Sequence, residues 1–260
     1  MDRFEVLDKV KGWVKEVGRL QIDRLHDNFE VRTKSNQNDL VTEVDELSEK
    51  ILIDYIKADY PNHSIISEES GADHRESDYQ WIIDPLDGTT NYTHGFPLFC
   101  ISIGLQYQSE TILGVIYAPK LDYLYYGIKE EGAFLNGKRL KVSTTARLEK
   151  ALLMTDFSYY RVENPDDNID YFDRVVKKVR GTRKTGSAAL DLCCIAEGTV
   201  DFFWELELNP WDIVAGALLI KEAGGKVITF NKEDKLTIIA GNNKLSNKLM
   251  EKIKVKNKNS

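Results

Sequence analysis

Trp81-Ile82-Ile83-Asp84-Pro85-Leu86-Asp87-Gly88-Thr89-Thr90-Asn91-Tyr92 carries more information than any other stretch of this 260-residue chain. The apolar run Trp81–Ile83 predicts a buried strand. It stops at Asp84, and Pro85 has no amide to give to a ladder, so the strand is expected to end there. Asp84 and Asp87, three residues apart with the Leu86 carbonyl between them, can aim their oxygens at one point. Hard oxygen ligands gathered in this way suit Mg²⁺. If Gly88, Thr89 and Thr90 open a helix, their amides form an anion site beside the metal. Asp-Pro and Asp-Gly pairs are also common turn formers, so from these residues alone a plain tight turn remains the alternative.

Other carboxylates bear on that choice. Glu68 and Glu69 follow the short apolar run Ile65-Ile66-Ser67, where paired glutamates are ordinarily surface residues. Asp212 lies in the first turn of a helix opened by Pro210 and Trp211. There it either favours the helix dipole or delivers a further carboxylate to a metal pair. Thr89 and Asp45 can each be a helix cap. Together they can also hold a water, the hydroxyl bonding the water while the aspartate polarises the hydroxyl. Two metal ions roughly 4 Å apart would lower the pKa of that water and clamp the attacking and leaving oxygens.

Working outward, apolar residues at three- and four-residue spacing from Phe4 to Leu20 predict a long opening helix, and Val44 to Tyr55 a second. Thr42-Glu43-Val44-Asp45 matches a capping box for the second helix. From Ser64 the pattern becomes strand-like, with a hairpin turn signal at Asn136-Gly137, so an antiparallel sheet is expected in the first half. Beyond Leu148 strands and helices alternate. Helices are expected over Tyr171–Val179, Ser187–Glu197 and Pro210–Ala223, and a strand ending at Leu206 (Asp-Phe-Phe-Trp-Glu-Leu). Two closely packed halves, 1–148 and 149–260, are expected, with α+β and α/β character respectively.

Composition sets the outer limits. A hydrophobic content of 42% and a charged content of 30% are those of an ordinary globular protein. The net charge of −7 speaks against a direct nucleic-acid partner, which needs basic patches. Cys100, Cys193 and Cys194 lack metal-ligand spacing and are expected as buried, reduced thiols. The charged, amphipathic amino terminus does not read as a secretory signal, and no apolar run reaches the roughly 20 residues of a membrane span. A cytoplasmic protein with no membrane partner is expected.

The motifs together resemble the inositol monophosphatase family of the lithium-sensitive, magnesium-dependent sugar phosphatase superfamily. The matching pieces are DLVTEVD (Asp39–Asp45), EES (Glu68–Ser70), WIIDPLDGTTNYTHGFP (Trp81–Pro97), GAFLNG (Gly132–Gly137), GSAALDLC (Gly186–Cys193) and PWDIVAGALLIKEAGG (Pro210–Gly225). They occur in family order over roughly residues 34 to 225. The resemblance implies a layered αβαβα sandwich, a homodimer, and two or three Mg²⁺ ions held by Glu68, Asp84, the Leu86 carbonyl, Asp87 and Asp212. It implies that Gly88 and Thr89 meet the phosphate, and that Thr89 and Asp45 orient the attacking water. Asp87, Ala188, Glu205 and Asp212 would meet sugar hydroxyls, and Lys34 and Glu69 match mobile-loop and outer positions. Gly71–Gln80 and Ser158–Asp170 match no family pattern.

These expectations make the protein a phosphatase of a small phosphorylated polyol or sugar, with inositol 1-monophosphate favoured. NADP(H), 3′-phosphoadenosine 5′-phosphate and fructose 1,6-bisphosphate are the alternatives, and Arg183-Lys184 before Gly186 keeps a bisphosphate open. Glu205 favours a hydroxyl-rich ring, because a carboxylate accepts from hydroxyls. A reading of a different class is a regulatory protein that keeps the fold and partners the transcription machinery.

Overall fold

A computed structural model describes residues 1–27, 30–33, 40–157, 168–232 and 235–250, with side chains for all of these except 231–232 and 247–250. Lys34, Asp39 and most of the Ser158–Asp170 stretch therefore lie outside the described residues.

The amphipathic spacing at the amino terminus forms α1 (Arg3–Arg24), capped by the Asp2 carboxylate on the Phe4 amide. β1 (Val31–Thr33) and β2 (Leu40–Thr42) make a short antiparallel ribbon. α2 (Glu43–Asp59) starts with the expected capping box between Thr42 and Asp45. Eight strands then form one sheet: β3 (Ser64–Ser67), β4 (Gly71–Asp73), β5 (Tyr79–Asp87), β6 (Cys100–Tyr107), β7 (Glu110–Ala118), β8 (Tyr123–Ile128), β9 (Gly132–Leu135) and β10 (Lys138–Arg139). Their spatial order is β10-β9-β8-β7-β6-β5-β3-β4. The sheet is antiparallel, as expected, apart from one parallel pair, β3 with β5. α3 (Thr89–Thr93) follows β5 directly.

The second half contains β11 (Leu152–Thr155), α4 (Ile169–Val176), β12 (Gly181–Arg183), α5 (Ala188–Glu197), β13 (Phe202–Leu208), α6 (Pro210–Glu222), β14 (Lys226–Lys232), β15 (Lys235–Gly241) and α7 (Asn243–Met250). Its five strands lie in the order β12-β11-β13-β15-β14, with β12, β11 and β13 mutually parallel.

Three apolar cores fix the stacking. Val10, Val14 and Val17 of α1 and Leu52 and Ile56 of α2 pack with Trp81, Ile83 and Ile103 on one face of the large sheet. On its other face Ile116 and Tyr125 meet Leu192 of α5 and Leu219 of α6, which also reach Phe203 and Ile238 of the smaller sheet. Tyr171 and Val175 of α4 and Leu245 of α7 cover the outer side of that sheet with Phe202 and Trp204. The layers are thus α1/α2, large sheet, α5/α6, small sheet, α4/α7: the expected αβαβα sandwich. No helix among the described residues is long and apolar enough to cross a membrane.

Two close approaches seat α6 deep against the large sheet. A Cβ on Gly104 would stand 2.5 Å from Val214 Cγ1, and one on Gly114 would stand 3.0 Å from the Ala215 Cα. Only glycine in β6 and β7 lets the helix backbone lie against the sheet, and that depth positions the first turn of α6.

Candidate active site

The strand does not stop at Asp84. β5 runs through Pro85 to Asp87, because the register with β6 moves from Asp84↔Ser102 to Asp87↔Cys100 and gains one residue. Such a bulge leaves a residue outside the ladder, so the missing proline amide is never required. The bulge re-aims the two aspartates. Asp84 Oδ1 accepts from the Leu86 amide at 3.0 Å. The Pro85 carbonyl accepts from Gln21 Nε2 at 2.8 Å, and the same nitrogen reaches Ser48 Oγ at 3.2 Å. Gln21 is wholly buried near the end of α1, and its own carbonyl accepts from the Tyr92 hydroxyl at 2.7 Å. Neither end of α1 carries a local signal for this role, and sequence reasoning missed it.

Gly88 turns the chain from β5 into α3 with φ +95°, and a Cβ there would stand 3.0 Å from the Leu98 carbonyl. A side chain is excluded both by the left-handed backbone and by that close approach. The turn sets Thr89 at the start of α3. Its hydroxyl donates to Asp45 Oδ1 at 2.8 Å and lies 3.1 Å from the Leu86 carbonyl. The other Asp45 oxygen accepts from the Thr42 amide at 2.9 Å and the Thr42 hydroxyl at 2.5 Å. Asp45 is therefore both helix cap and partner of Thr89. Burial raises its carboxyl to about 6, against the pull of those hydrogen bonds.

Glu68 follows β3, and its amide donates to the Ile83 carbonyl at 3.2 Å. A second overlooked residue fixes this loop. Glu49, buried in α2, accepts from Ser67 Oγ at 2.5 Å, the Glu69 amide at 2.9 Å and the Ser70 amide at 3.3 Å. Its contacts flank Glu68 on both sides. Glu69, by contrast, is tied into the loop through its own backbone.

Asp212 stands in the first turn of α6, where its Oδ2 accepts from the Asn209 amide at 2.7 Å. Asn209 Oδ1 in turn accepts from Lys235 Nζ at 2.5 Å. The Ser102 hydroxyl meets the Trp211 carbonyl at 3.3 Å, joining α6 to β6. Asp87 is held from the other half. Its Oδ2 accepts from Ser187 Oγ at 2.6 Å and the Ala189 amide at 2.8 Å. The first turn of α5, beside Ala188, thus has Asp87 as a partner.

Glu68, Asp84, Asp87, Thr89 and Asp212 line one cleft of about 350 Å³, together with Leu86, Gly88, Ala188 and Glu205, while Asp45 stands behind Thr89 outside the lining. Glu205 was expected at a strand end. β13 instead continues to Leu208, with a register irregularity after Glu205, so this carboxylate sits within the strand. It is 9% exposed, and its Oε2 has no hydrogen-bond partner among the described residues. Burial first, and then Asp156 and Asp191, hold it well above the usual carboxylate range. The same crowding acts across the cleft. Burial and Glu68 raise Asp84, burial and then Glu68 and Asp87 raise Asp212, and burial raises Asp87 to about 6.

So many mutually repelling hard oxygens in one cleft suit a divalent cation, which offsets the repulsion. Among the described residues no three such side chains close into a ready-made cage. Mg²⁺ typically keeps several waters and takes one or two carboxylates plus substrate oxygens. Cys100 and Cys193 are buried and Cys194 is half-buried, all three as free thiols.

The model of the inositol monophosphatase family matches residues 2–257. The chain belongs to that family. It is accordingly a phosphoric monoester hydrolase, in a family that is generally metal-dependent. It is 42% identical over 203 residues to an inositol-1-monophosphatase of Synechocystis sp., covering 78% of this chain and 71% of that one. It is 39% identical over 233 residues to a fructose-1,6-bisphosphatase/inositol-1-monophosphatase of Aquifex aeolicus, covering 87% and 88%. Among solved structures, the extragenic suppressor protein suhB of Bartonella henselae superposes with a TM-score of 0.90 at 34% identity, covering 97% and 99%. The phosphatase shares its layered fold with that structure over nearly its whole length.

Proposed function

We propose that this phosphatase hydrolyses small phosphorylated polyols with Mg²⁺, and that myo-inositol 1-phosphate is its preferred substrate. The observation that carries the reading is the Thr89–Asp45 hydrogen bond at the edge of the carboxylate-lined cleft. With its proton directed to Asp45, the Thr89 oxygen is left as an acceptor. It can receive one proton of a water and turn that water's lone pair toward a bound phosphorus. The Thr42 amide and hydroxyl fix Asp45 and therefore the direction in which Thr89 faces.

Glu68, Asp84, the Leu86 carbonyl, Asp87 and Asp212 are the residues that would hold two or three ions. When bound, Mg²⁺ neutralises the phosphate and lowers the pKa of the attacking water. The Gly88 and Thr89 amides, at the turn into α3, would meet the phosphate oxygens. Glu205 and Ala188 would border the polyol ring, the first as a hydroxyl acceptor and the second by leaving room. A second phosphate at Glu205 would meet like charge once metal binding lets that carboxyl ionise, which disfavours fructose 1,6-bisphosphate and 3′-phosphoadenosine 5′-phosphate. A homodimer acting in the cytoplasm completes the reading.

Phosphate release from myo-inositol 1-phosphate, fructose 1,6-bisphosphate, 3′-phosphoadenosine 5′-phosphate and NADP, with and without Mg²⁺, tests it. Metal-dependent turnover with the highest kcat/KM on myo-inositol 1-phosphate is expected. A preference for either bisphosphate would overturn the substrate assignment, and full turnover in chelator would overturn the metal assignment.

A further inference from the structure

Three adjacent parallel strands, β12, β11 and β13, deliver Lys184, Asp156 and Glu205 to the same side of the molecule. Met154 of β11 is level with Arg183 of β12, and Thr155 is level with Trp204 of β13. Lys184 and Asp156 are thus the first residues beyond β12 and β11, and Glu205 follows the last paired position of β13 with β11. In open parallel sheets, ligands bind outside the carboxyl ends of the strands. Here that edge faces the cleft, because Asp156 and Glu205 both line it.

Asp156 is firmly held. Asn168 Nδ2 donates to the Asp156 carbonyl at 2.6 Å and to Thr155 Oγ1 at 2.8 Å, while Asn168 Oδ1 accepts from Trp204 Nε1. One buried amide therefore staples the ends of β11 and β13 together. The Asp156 side chain is 17% exposed and forms an ion pair with Lys184, whose side chain is 51% exposed. Lys184 thus approaches from the solvent side while the carboxylate lines the cleft. Asp156 is also the charge that, after burial, does most to raise the neighbouring Glu205.

We propose that Asp156, clasped by Lys184, is a specificity-determining residue: it accepts a ring hydroxyl beside Glu205 and closes that wall of the cleft to a second anionic group. The inference rests on the polyol-phosphatase reading above and adds a selector to it. The pair also holds a latent switch. Without the Asp156 carboxylate, the Lys184 ammonium, left unpaired beside the same wall, becomes a donor to a second phosphate.

The experiment measures kcat/KM for myo-inositol 1-phosphate and fructose 1,6-bisphosphate, each relative to β-glycerophosphate, which has no ring. It compares wild type, Asp156→Ala, Asp156→Asn and Asp156→Ala/Lys184→Ala, with circular dichroism to verify folding. Both single variants should lose about tenfold on inositol 1-phosphate and gain several-fold on the bisphosphate, mainly through KM. The double variant should lose the bisphosphate gain while keeping the inositol defect. The isosteric Asp156→Asn guards against misfolding of the alanine variant. Turnover with an unchanged substrate ratio in both single variants would overturn this inference alone. Absence of turnover of all three esters by wild type with Mg²⁺ would overturn the phosphatase reading and this inference with it.

Discussion

Asp87 Oδ2 accepts the Ser187 hydroxyl at 2.6 Å, joining the last residue of β5 to the cap of α5 one hundred residues later. The Ala189 amide adds a second bond to the same oxygen. A candidate metal ligand is therefore also a clasp between the two halves of the molecule.

Asp87→Asn separates these roles, since the amide oxygen can still accept from Ser187 and Ala189 while the charge is gone. Turnover at saturating Mg²⁺ is expected to fall several hundred-fold or more, on the order of 4 kcal/mol in barrier. Thermal unfolding of the metal-free protein should not move to lower temperature, and above about pH 6 it should move higher, because the variant has no charge to form in the crowded cleft. Retention of most of the activity would remove Asp87 from the metal site.

Thr89→Ala is expected to lower kcat by roughly 2–4 kcal/mol in barrier while the Mg²⁺ concentration for half-activity stays nearly the same. The hydroxyl bonds Asp45 and, on the proposed reading, would orient a water; neither contact would contribute strongly to holding a cation. Thr89→Ser should recover most of the rate. A normal kcat with a raised Mg²⁺ requirement would contradict the water-orienting role.

Glu49→Ala should show the opposite pattern. Removing this acceptor leaves the Ser67 hydroxyl and the Glu69 and Ser70 amides without their partner and loosens the backbone on both sides of Glu68. The expected result is an approximately tenfold higher Mg²⁺ requirement and a loss of about 1–3 kcal/mol in stability, the cost of unsatisfied buried donors. Titrating activity against Mg²⁺ in the two variants side by side checks the contrast.

The pH dependence of the metal-free protein has a definite sign. Asp45 and Asp87, raised to about 6, and Asp84 and Asp212, raised further, hold protons more tightly when folded than when unfolded. Stability from these groups is present below about pH 4, their unfolded value, and is lost as pH rises through the folded values. Without metal, Tm should fall by several degrees between pH 5 and pH 7.5, and Mg²⁺ should restore most of it at pH 7.5. A metal-free Tm that rose over this interval would mean that the carboxylates are not crowded in solution.

Much of the cleft was legible because its parts are local. Asp84, Asp87 and Thr89 lie within six residues, and Asp212 was marked by the proline that opens its helix. The capping box at Thr42 and Asp45 follows from residue types alone. The stacking of layers came from family resemblance, since periodicity shows that a face is apolar without showing what covers it. Pro85 was misleading because a bulge, which depends on register with β6, removes the need for its amide. Gln21 and Glu49 look like ordinary polar helix residues. Their partners lie 64 residues away in one case and about 20 in the other, and no spacing rule reaches that far. The clasp of Asp156 by Lys184 depends on β12 lying beside β11, a neighbourhood decided only in the folded sheet.

The burial of Gln21 has a practical consequence for handling this protein. α1 shares an outer layer with α2, yet its last turns reach through to hold the Pro85 carbonyl and, by way of Tyr92, the helix that carries Thr89. Clipping or fraying at the amino terminus would therefore remove a strut from beneath the Gly88–Thr89 turn while every cleft-lining residue stayed in the chain. A preparation nicked by protease near residue 25 would resemble a catalytic mutant, with weak turnover and a poor response to metal. Mass measurement of the intact chain would distinguish such damage from a true change in the cleft.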